Sequence, residues 1–597
     1  MKTTKGGEFL IKEIKSEDIF VSEEFNEEQK MMKDAVIEFI DREVWPHRER
    51  FEKKDYAFTE EVMRKAGEMG FLGVSIPEEY GGIGMGFVST MLVTDYISSA
   101  TGSLATAFGA HTGIGTMPIY LYGTEAQKQK YLPFLTSGEK FGAYCLTEPG
   151  AGSDANSGKT TAQLTADGKH YKINGQKMWI SNAGFAEIFI VFGRIENDKN
   201  ITAFILEFDK NNPNGVALGE EENKLGITSS STRQVFFTDT LIPVENILSE
   251  RGKGFNIALN SLNVGRIKLG SACTDASRRI ITESVKYGNE RFQFKVPISS
   301  FGAIQKKYAE MCAKTFALDA GSYRAAKDIE NTIATHLENG KSHEEAELTA
   351  FSEFAIECAI LKVFGSEVSQ FVSDEGIQIF GGMGFSKDTP MESAWRDARI
   401  TRIYEGTNEI NRLLTVGMLL KKAMKGEIDL MTPAMEVGNS LMGIPSFETP
   451  DFSVLFSEEK EMIARLKKSF LMISGKAVQK YGMDLDNHQQ LILAAAEVMI
   501  EIYMAESAIL KAEKVVKLTS EKEAEVQIAL AKLNLYNAID KINNFGKEAI
   551  LYFSEGDEQR VMLMGLKRFT KYVNNPNPIA LRNVIAEKLI AENKYCF

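Results

Sequence analysis

The segment AYCLTEPGAGSDANSGKT, residues 143–160, is rich in glycine and in hydroxyl side chains. Glycines let a backbone approach a ligand closely, and the hydroxyls of Thr147 and Ser153 can bind the polar edge of a ring or a phosphate. An ordinary hydroxyl-rich loop explains the same composition. The segment alone therefore leaves two interpretations open, a ligand-binding loop and a solvated one.

About thirty residues later, the segment KMWISN places Trp179 and Ser181 on one side of a predicted strand, because alternate residues of a strand share a face. An aromatic plane beside a hydroxyl suits stacking against a flat heterocycle. A tryptophan of the hydrophobic core is the commoner explanation for such a segment.

A third segment, RITRIYEGTNEINRLL at 399–414, combines a loop carboxylate with a helix start. Thr407 is predicted to cap the helix, and Glu405 lies just before it in the loop. A carboxylate there can face a cleft, although a solvated loop residue fits equally. Glu409, in the first helical turn, is explained by the helix dipole.

Other kinds of active site are disfavoured. Only six histidines are present, and His336 and His343 are too far apart in sequence to share a metal on one helix face. A GxSxG motif is absent, and GGMGF (381–385) follows a helical pattern rather than a strand, unlike a dinucleotide-binding motif. The five cysteines include no CxxC pair, so we expect reduced thiols and no metal site.

Length and charge bound the function further. At about 150 residues per domain, 597 residues predict about four units. The net charge of −13 argues against non-specific nucleic-acid binding. The first residues lack a signal-type apolar run, and the most apolar stretch, 489–510, carries three glutamates and predicts a buried helix with one polar stripe. We expect a cytoplasmic protein without an integral membrane segment.

Hydrophobic periodicity predicts a mainly α fold with a β insert, because helical spacing is interrupted once by alternating segments around the hairpin dipeptides Asp167-Gly168 and Asn174-Gly175. The later helices suit a bundle. The predicted units are an N-terminal tail (1–25), an N-terminal α domain (26–140), a central β domain (141–250), a four-helix-bundle domain (251–425), a linker (426–455) and an additional helical domain (456–597).

The motifs YCLTEPGAGSD, WIS, GGMGF and YEGTNEINR, in this order and within an α, β, α organisation, resemble those of the acyl-CoA dehydrogenase family. The resemblance covers roughly residues 25–425. It implies an N-terminal helical domain, a central β domain and a C-terminal four-helix bundle that hold FAD. It also implies oxidation of an acyl-CoA to a trans-2-enoyl-CoA in fatty-acid β-oxidation, with the β-hydride leaving for flavin N5.

Within this resemblance, Glu405 occupies the position of the family's usual base, which removes the α-proton. An unactivated β-hydride departs only if the α-carbon becomes carbanion-like, so base and flavin must flank the Cα–Cβ bond on opposite faces. Some relatives carry the base on the first bundle helix, where this chain has Gly265, which transfers no proton. Closing an acyl chain over Glu405 is expected to raise its pKa by desolvation.

The resemblance also implies the binding residues. Arg291 and Phe294 match a pair that reaches FAD across a subunit interface, so the active unit is expected to be at least a dimer. Arg266 has simple pairing with a carboxylate as its alternative role. The implied FAD contacts are Tyr144, Leu146, Thr147, Ser153, Trp179, Ile180, Ser181, Arg291, Phe294, Gln378, Gly381, Gly382, Thr407 and Glu409, and the implied substrate contacts are Ser153, Asn263, Arg266, Tyr404, Glu405 and Gly406.

The additional helical domain and the segments SFGAIQ (300–305) and KVFGSE (362–367) resemble the long-chain branch of the family, in which the extension covers a surface used to form tetramers. We therefore expect a homodimer and a long-chain substrate. The segment 104–119 aligns with a helix that lines the acyl pocket. Its small residues Gly109, Ala110 and Gly113 suit either a deep tunnel or close helix packing.

The resemblance implies that an electron-transfer flavoprotein receives the electrons. Two alternatives stay open. An acyl-CoA oxidase would pass the electrons to dioxygen, and a non-catalytic respiratory-complex assembly factor would transfer none. The retained Glu405 disfavours the assembly factor.

Overall fold

The first part of the chain is helical, as its hydrophobic spacing predicts. The computed structural model describes residues 4–441, 443 and 450–597. Side-chain caps start the helices: Asn26 accepts from the backbone N–H of Gln29, and Thr124 from that of Gln127. The helices are α1 (Glu27–Phe39), α2 (Arg48–Glu52), α3 (Tyr56–Glu68), α4 (Phe87–Ile97), α5 (Gly102–Gly109), α6 (Met117–Tyr122) and α7 (Glu125–Ser137).

The central part forms a sheet. Its strands are β1 (Gly142–Cys145), β2 (Thr161–Leu164), β3 (His170–Ser181), β4 (Ile188–Ile195), β5 (Thr202–Glu207), β6 (Val216–Glu221), β7 (Thr232–Pro243) and β8 (Ile247–Leu248). They pair in the order β6-β7-β3-β2-β4-β5-β8, and β1 runs parallel to β4. Gly168, with φ +69°, lies in the predicted hairpin between β2 and β3. This sheet confirms the β insert.

The predicted hairpin turn at Asn174-Gly175 was wrong, because both residues lie inside β3. The pairing of β3 with β7 shifts register between Ile173 and Gly175, which marks a bulge. A Cβ atom on Gly175 would lie 2.4 Å from Oγ1 of Thr160. The glycine therefore serves a close approach of two chain segments and not a turn.

The helices after the sheet pack as a bundle. Two of the longest cross where Gly270 meets Gly365: a Cβ on Gly365 would lie 2.9 Å from the Cα of Gly270, so the backbones touch. The elements are α8 (Gly254–Glu290), a small hairpin of β9 (Phe292–Gln293) and β10 (Val296–Pro297), α9 (Gly302–Glu338), α10 (His343–Glu353), α11 (Ala355–Phe380), α12 (Met391–Ile400) and α13 (Asn408–Met424).

Six further helices follow, α14 (Met431–Ser440), α15 (Ser457–Tyr481), α16 (Gln489–Leu518), α17 (Glu525–Phe553), α18 (Gly556–Phe569) and α19 (Pro578–Glu592). The predicted linker thus contains a helix, and its residues 442 and 444–449 lie outside the described residues. Helix α16 has the predicted acidic stripe, which is paired: Glu497 with Arg412, Glu501 with Lys541, and Glu506 with Arg324 and Lys467. The fold class is confirmed as mainly α with a β insert and an additional helical region.

The predicted N-terminal tail packs against both helical regions. The backbone N–H of Gly7 donates to Glu357 of α11 at 2.7 Å. The carbonyl of Lys12 accepts from Lys467 of α15 at 2.8 Å, and Ser22 accepts from Lys511 of α16 at 2.9 Å. Among the described residues, no helix combines the length and the apolar character that crossing a bilayer requires.

Candidate active site

A cleft lies between α5, α8 and the turn that joins α12 to α13. It encloses about 1410 Å³ free of protein atoms, part of it open to solvent. Small side chains line much of it, because α5 contributes Ala105 and Gly109 and α8 contributes Ala272 and Ala276. The predicted site residues that line this cleft are Ser181, Tyr404 and Glu405.

Glu405 presents a carboxylate to this cleft. Its φ of +58° is a left-handed conformation, which is uncommon for residues other than glycine and often marks functional sites. The side chain faces α8, since a Cβ atom on Gly265 would lie 2.6 Å from Oε2. Oε2 is inaccessible to solvent and has no hydrogen-bond partner among the described residues. The capacity of this oxygen to accept a hydrogen bond or a proton is therefore unused among the described residues.

The surroundings of Glu405 change its acidity. Burial raises its pKa from 4.5 to about 7, and the nearby charges of Arg266 and Lys362 oppose that rise only in part. A carboxylate with a pKa near neutrality is well matched to taking up a proton at physiological pH. The predicted rise of the pKa is therefore present in the protein fold itself, before any acyl chain covers the group.

Three backbone carbonyls of the turn converge on one side chain. The Nδ2 atom of Asn411 donates to the carbonyls of Glu405 (3.3 Å), Gly406 (2.8 Å) and Thr407 (3.0 Å). Thr407 also caps α13 as predicted, because its hydroxyl accepts from the backbone N–H of Ile410. Asn411 was missed at the sequence level, since an asparagine in a first helical turn has no local pattern that indicates such contacts.

Arg266 lies directly behind the turn. Its Nε donates to the carbonyl of Glu405 at 3.3 Å, and its Nη1 donates to Oδ1 of Asn263 at 3.0 Å. In the part of the chain that the structure describes, these bonds go to a carbonyl and an amide oxygen, so simple carboxylate pairing is not the role found. Arg266 and Asn263 therefore position the turn, and their contact with substrate stays a prediction.

Lys362 is a second residue that sequence reasoning missed. Its Nζ donates to Oδ1 of Asn408 at 2.7 Å, and the Asn408 amide donates to Ser366 at 3.1 Å. Burial lowers the pKa of Lys362 to about 7, while the charge of Glu405 opposes this shift. The sequence feature that could have identified Lys362 is its position as a lysine within the apolar run of α11.

The predicted flavin-side residues of the β region come together. Burial and, to a smaller extent, the charge of Glu405 raise the pKa of Tyr144. The carbonyl of Thr147 accepts from the backbone N–H of Met178 at 2.9 Å, and that of Leu146 accepts from Lys177 at 3.3 Å. The loop after β1 is thereby fixed beside the end of β3.

Trp179 lies at a bulge of β3 with φ +60° and is 51% exposed. The bulge interrupts the alternation, so the shared face inferred for Trp179 and Ser181 does not follow from strand geometry. Ile180 between them is buried. Ser153 is exposed, and a Cβ on the neighbouring Gly152 would meet nothing within 4 Å. The exposed indole excludes the alternative of a core tryptophan.

A separate set of predicted contacts lies at the far end of the bundle. Tyr287 of α8 stacks on Phe380 of α11 at 4.1 Å between ring centroids, so the ends of these helices are adjacent. Phe294 in the β9–β10 hairpin is 89% exposed. The exposed predicted contacts at this end are Arg291, Phe294, Gln378, Gly381 and Gly382, and none of them is among the residues that line the cleft. Glu409 is exposed in the first turn of α13.

The small residues of 104–119 divide into two kinds. A Cβ on Gly109 would meet no atom within 4 Å, and Gly109 and Ala110 line the cleft. Gly115 instead packs against Gly142 of β1, where a Cβ would lie 3.0 Å from the Gly142 backbone. The open space at Gly109 agrees with the predicted tunnel, which stays a prediction. The close contact at Gly115 is made with strand β1 and not with another helix.

Family models match the chain in order along its length. The model described as acyl-CoA dehydrogenase, N-terminal domain, matches residues 26–139, the middle domain matches 143–240, and the C-terminal domain matches 252–419. A further model, also described as acyl-CoA dehydrogenase, C-terminal domain, matches residues 465–568.

Known proteins similar to this chain agree with these matches. A probable acyl-CoA dehydrogenase of Bacillus subtilis is 40% identical over 591 residues, 99% of this chain and 98% of that protein. The very long-chain specific acyl-CoA dehydrogenase of Macaca fascicularis is 38% identical over 65% of this chain and 55% of its own length. The crystal structure of an acyl-CoA dehydrogenase complexed with FAD from Bacillus anthracis has a TM-score of 0.95 at 42% identity, covering 100% of both chains. This chain belongs to the acyl-CoA dehydrogenase family.

Proposed function

We propose that this protein oxidises acyl-CoA thioesters to trans-2-enoyl-CoA with bound FAD, and that Glu405 is the base. The observation that carries the proposal is the carboxylate of Glu405, a residue that lines the cleft. Its Oε2 is buried beside Gly265 and has no partner among the described residues. Leaving a buried carboxylate oxygen without a partner costs free energy, and a base needs such an oxygen to accept a proton.

The residues of the β region fit a flat heterocycle. Tyr144 has a buried hydroxyl without a partner among the described residues, Trp179 leaves half its ring uncovered, and Cβ atoms on Gly150 and Gly152 would meet nothing within 4 Å. Tyr144, Thr147, Trp179 and Ser181 would hold the ring system of FAD. Bound FAD supplies the acceptor for the electron pair that leaves the β-carbon.

This chain's own residues supply the proton chemistry. Oε2 of Glu405 takes the α-proton of the thioester, and Asn411 and Arg266 hold the turn that carries it. We assign the backbone N–H of Glu405 as a donor to the thioester oxygen, where enolate charge develops. The small walls of the cleft admit the acyl chain and exclude water, so these electrostatic interactions act in a medium of low dielectric constant.

We further propose a long-chain substrate, a homodimer and an electron-transfer flavoprotein as acceptor. The open space beside Gly109 and the likeness to a very long-chain specific relative support the substrate. The exposed positions of Arg291, Phe294 and Gln378, away from the cleft, support completion of the FAD site by a second copy of the chain.

The test is anaerobic mixing of the FAD-loaded protein with palmitoyl-CoA and, separately, butyryl-CoA, followed by flavin absorbance. Rapid bleaching with the long thioester is expected, together with its loss in Glu405→Gln. Glu548→Gln, at an exposed position of α17 that does not line the cleft, is the matched control and should bleach as wild type does. Bleaching that survives in Glu405→Gln would overturn the base, and no bleaching with either thioester would overturn the activity. Rapid reoxidation by an electron-transfer flavoprotein, and slow reoxidation in air, is expected of a dehydrogenase.

A further inference from the structure

Lys268 is a buried cation in the wall of the cleft that the chemistry above does not use. It lies on α8, three residues after Gly265, and is 5% exposed. Residues three apart on a helix share a face, so Lys268 follows Gly265 along the side that faces the cleft. It lines both the main cleft and a smaller cavity behind it, which α4, α6 and the segment at residues 71–76 enclose.

The ammonium group of Lys268 has few partners. Its Nζ donates to Oγ1 of Thr112 at 2.8 Å, and the Thr112 hydroxyl in turn donates to the carbonyl of Phe108. A lysine carries three donors, so this bond uses one of them. In the described ranges 4–441, 443 and 450–597, no carboxylate lies within salt-bridge distance of Lys268, and burial alone lowers its pKa to about 7.

Buried ammonium groups are normally paired, because leaving one unpaired in an apolar environment costs free energy. Of the other buried lysines, Lys177 pairs with Glu148 and Lys511 pairs with Asp319. Lys362 donates to the amide oxygen of Asn408 and has the charge of Glu405 nearby. The side chain of Lys268 lies near the Phe108 ring, 5.8 Å from Nζ to the ring centroid, and a Cβ atom on Gly113 would lie 4.0 Å from its Cδ. Because the described residues give this cation no carboxylate, an anionic group of a molecule that enters the cleft can serve as its partner.

We propose that Lys268 binds a carboxylate at the far end of the acyl chain, so that the cleft accepts CoA monothioesters of α,ω-dicarboxylic acids. This inference rests on the proposed function, since it assigns the chain of the substrate to this cleft. Helix α8 rises about 1.5 Å per residue, so Lys268 lies about one turn from the point where Glu405 meets Gly265. The separation suits diacids of medium length, whose second carboxylate reaches one turn beyond the reacting carbons.

Two other cations of the cleft are weaker candidates. Arg279 pairs with Asp41 at 2.9 Å, and Arg48 donates to the carbonyl of Trp45 at 3.0 Å. Both lie at the mouth of the cleft near Trp45, on whose ring they stack. A carboxylate bound there would belong to a longer chain, which makes the two locations separable by chain length.

The experiment compares kcat/KM for adipoyl-, suberoyl- and sebacoyl-CoA with that for hexanoyl-, octanoyl- and decanoyl-CoA, in wild type and Lys268→Met. We expect the variant to lose about tenfold or more on the medium diacids, the factor that one charge-assisted hydrogen bond supplies, and to keep its rates on the monoacids. Equal losses on both series would assign Lys268 a purely structural role and overturn the proposal. The proposal would also be overturned if only sebacoyl-CoA were preferred over its monoacid and Lys268→Met kept that preference. The carboxylate would then bind at Arg48 and Arg279.

Binding supplies a readout independent of turnover. Calorimetric titration with the enoyl products, 2-octenedioyl-CoA against 2-octenoyl-CoA, is expected to show tighter binding of the diacid by wild type and no preference in Lys268→Met. Lys268→Gln, which keeps a donor, serves if the methionine variant does not fold. If wild type oxidises the monoacid thioesters but shows no preference for the diacid thioesters, the inference about Lys268 is overturned and the proposed function stands. Failure to oxidise any thioester defeats the proposed function, and the titration then still decides the role of Lys268.

Discussion

At the scale of single residues, Glu405 combines a strained backbone with a poorly solvated carboxylate. Its left-handed φ of +58° is held by the bonds that Asn411 and Arg266 make to the turn. Such strain persists only where the surroundings over-determine the conformation, and it is frequent at active sites. The same burial raises the pKa to about 7, so position and basicity have one common cause.

The raised pKa makes the stability of the protein depend on pH in a definite direction. The folded value of about 7 lies above the unfolded value of 4.5, so the folded state binds this proton more tightly and its stability falls as pH rises from 4.5 through 7. Glu405→Gln removes that penalty. At about pH 8 we expect the free energy of unfolding of Glu405→Gln to exceed that of wild type by up to about 3 kcal/mol.

Urea unfolding at about pH 8 and about pH 4 measures this difference, which should vanish at the lower pH. The control is Glu409→Gln. Hydrogen bonds from its own backbone N–H and from Thr407 hold the pKa of Glu409 below its usual value, so that variant should not gain stability. A stabilisation of Glu405→Gln that is the same at both pH values would show that ionisation is not its source.

At the scale of elements, two helices and one turn define the reacting position. Helix α8 contacts the turn before α13 at Gly265. Because Gly265 has no side chain, it leaves room for the carboxylate of Glu405 in that turn. Helix α11 braces the same turn through Lys362 and Asn408. The turn is short and irregular, so its geometry depends on the packed helices on either side, and a small change in α8 should act directly on the base.

Gly265→Ala is expected to lower kcat by about a hundredfold or more with FAD content unchanged, because its Cβ would lie 2.6 Å from Oε2 of Glu405 and displace the carboxylate. Stopped-flow bleaching by palmitoyl-CoA measures this effect. The matched control is Gly417→Ala in α13, whose Cβ would meet nothing within 4 Å. That control should keep full activity and gain about 0.5–1 kcal/mol of stability. Full activity in Gly265→Ala would mean that the working position of the carboxylate is elsewhere.

At the scale of the whole molecule, buried charges join the additional helices to the bundle. Arg324 of α9 donates to Glu506 of α16 at 3.0 Å, and Lys467 of α15 completes the cluster at 2.5 Å. Arg412, in the helix that follows the catalytic turn, pairs with Glu497 of α16. The additional helices are therefore packed against the bundle through largely buried charged groups as well as through apolar contacts.

Arg324→Met is expected to destabilise the protein by about 3–5 kcal/mol, because removing one partner leaves a buried carboxylate short of positive charge. The midpoint of urea unfolding measures the change. Arg560→Met is the control, since the Arg560–Asp557 pair is 80% and 95% exposed and should contribute less than about 1 kcal/mol. Equal effects of the two substitutions would mean that the buried cluster does not hold the two regions together.

Local patterns were sufficient for most of the elements, and the family motifs located the candidate base. The helix caps at Thr124 and Thr407 and the acidic stripe of α16 follow from neighbouring residues alone, and the structure has each of them. Such features depend on contacts within one or two helical turns, which periodicity records. The motif YEGTNEINR likewise marks the segment around Glu405 through consecutive residues alone.

Contacts between distant segments decided the rest. The turn expected at Asn174-Gly175 became a bulge because Thr160 packs against that glycine, and Trp179 is turned outward by a second bulge. The support of Glu405 by Asn411, Arg266 and Lys362, and its pKa near 7, arise where α8, α11 and α13 meet. Sequence alone determined the helices, the β insert and the family motifs, because these depend on residues close in the chain. Tertiary structure alone decided the basicity of Glu405 and the isolation of Lys268, because desolvation is a property of what packs around a group.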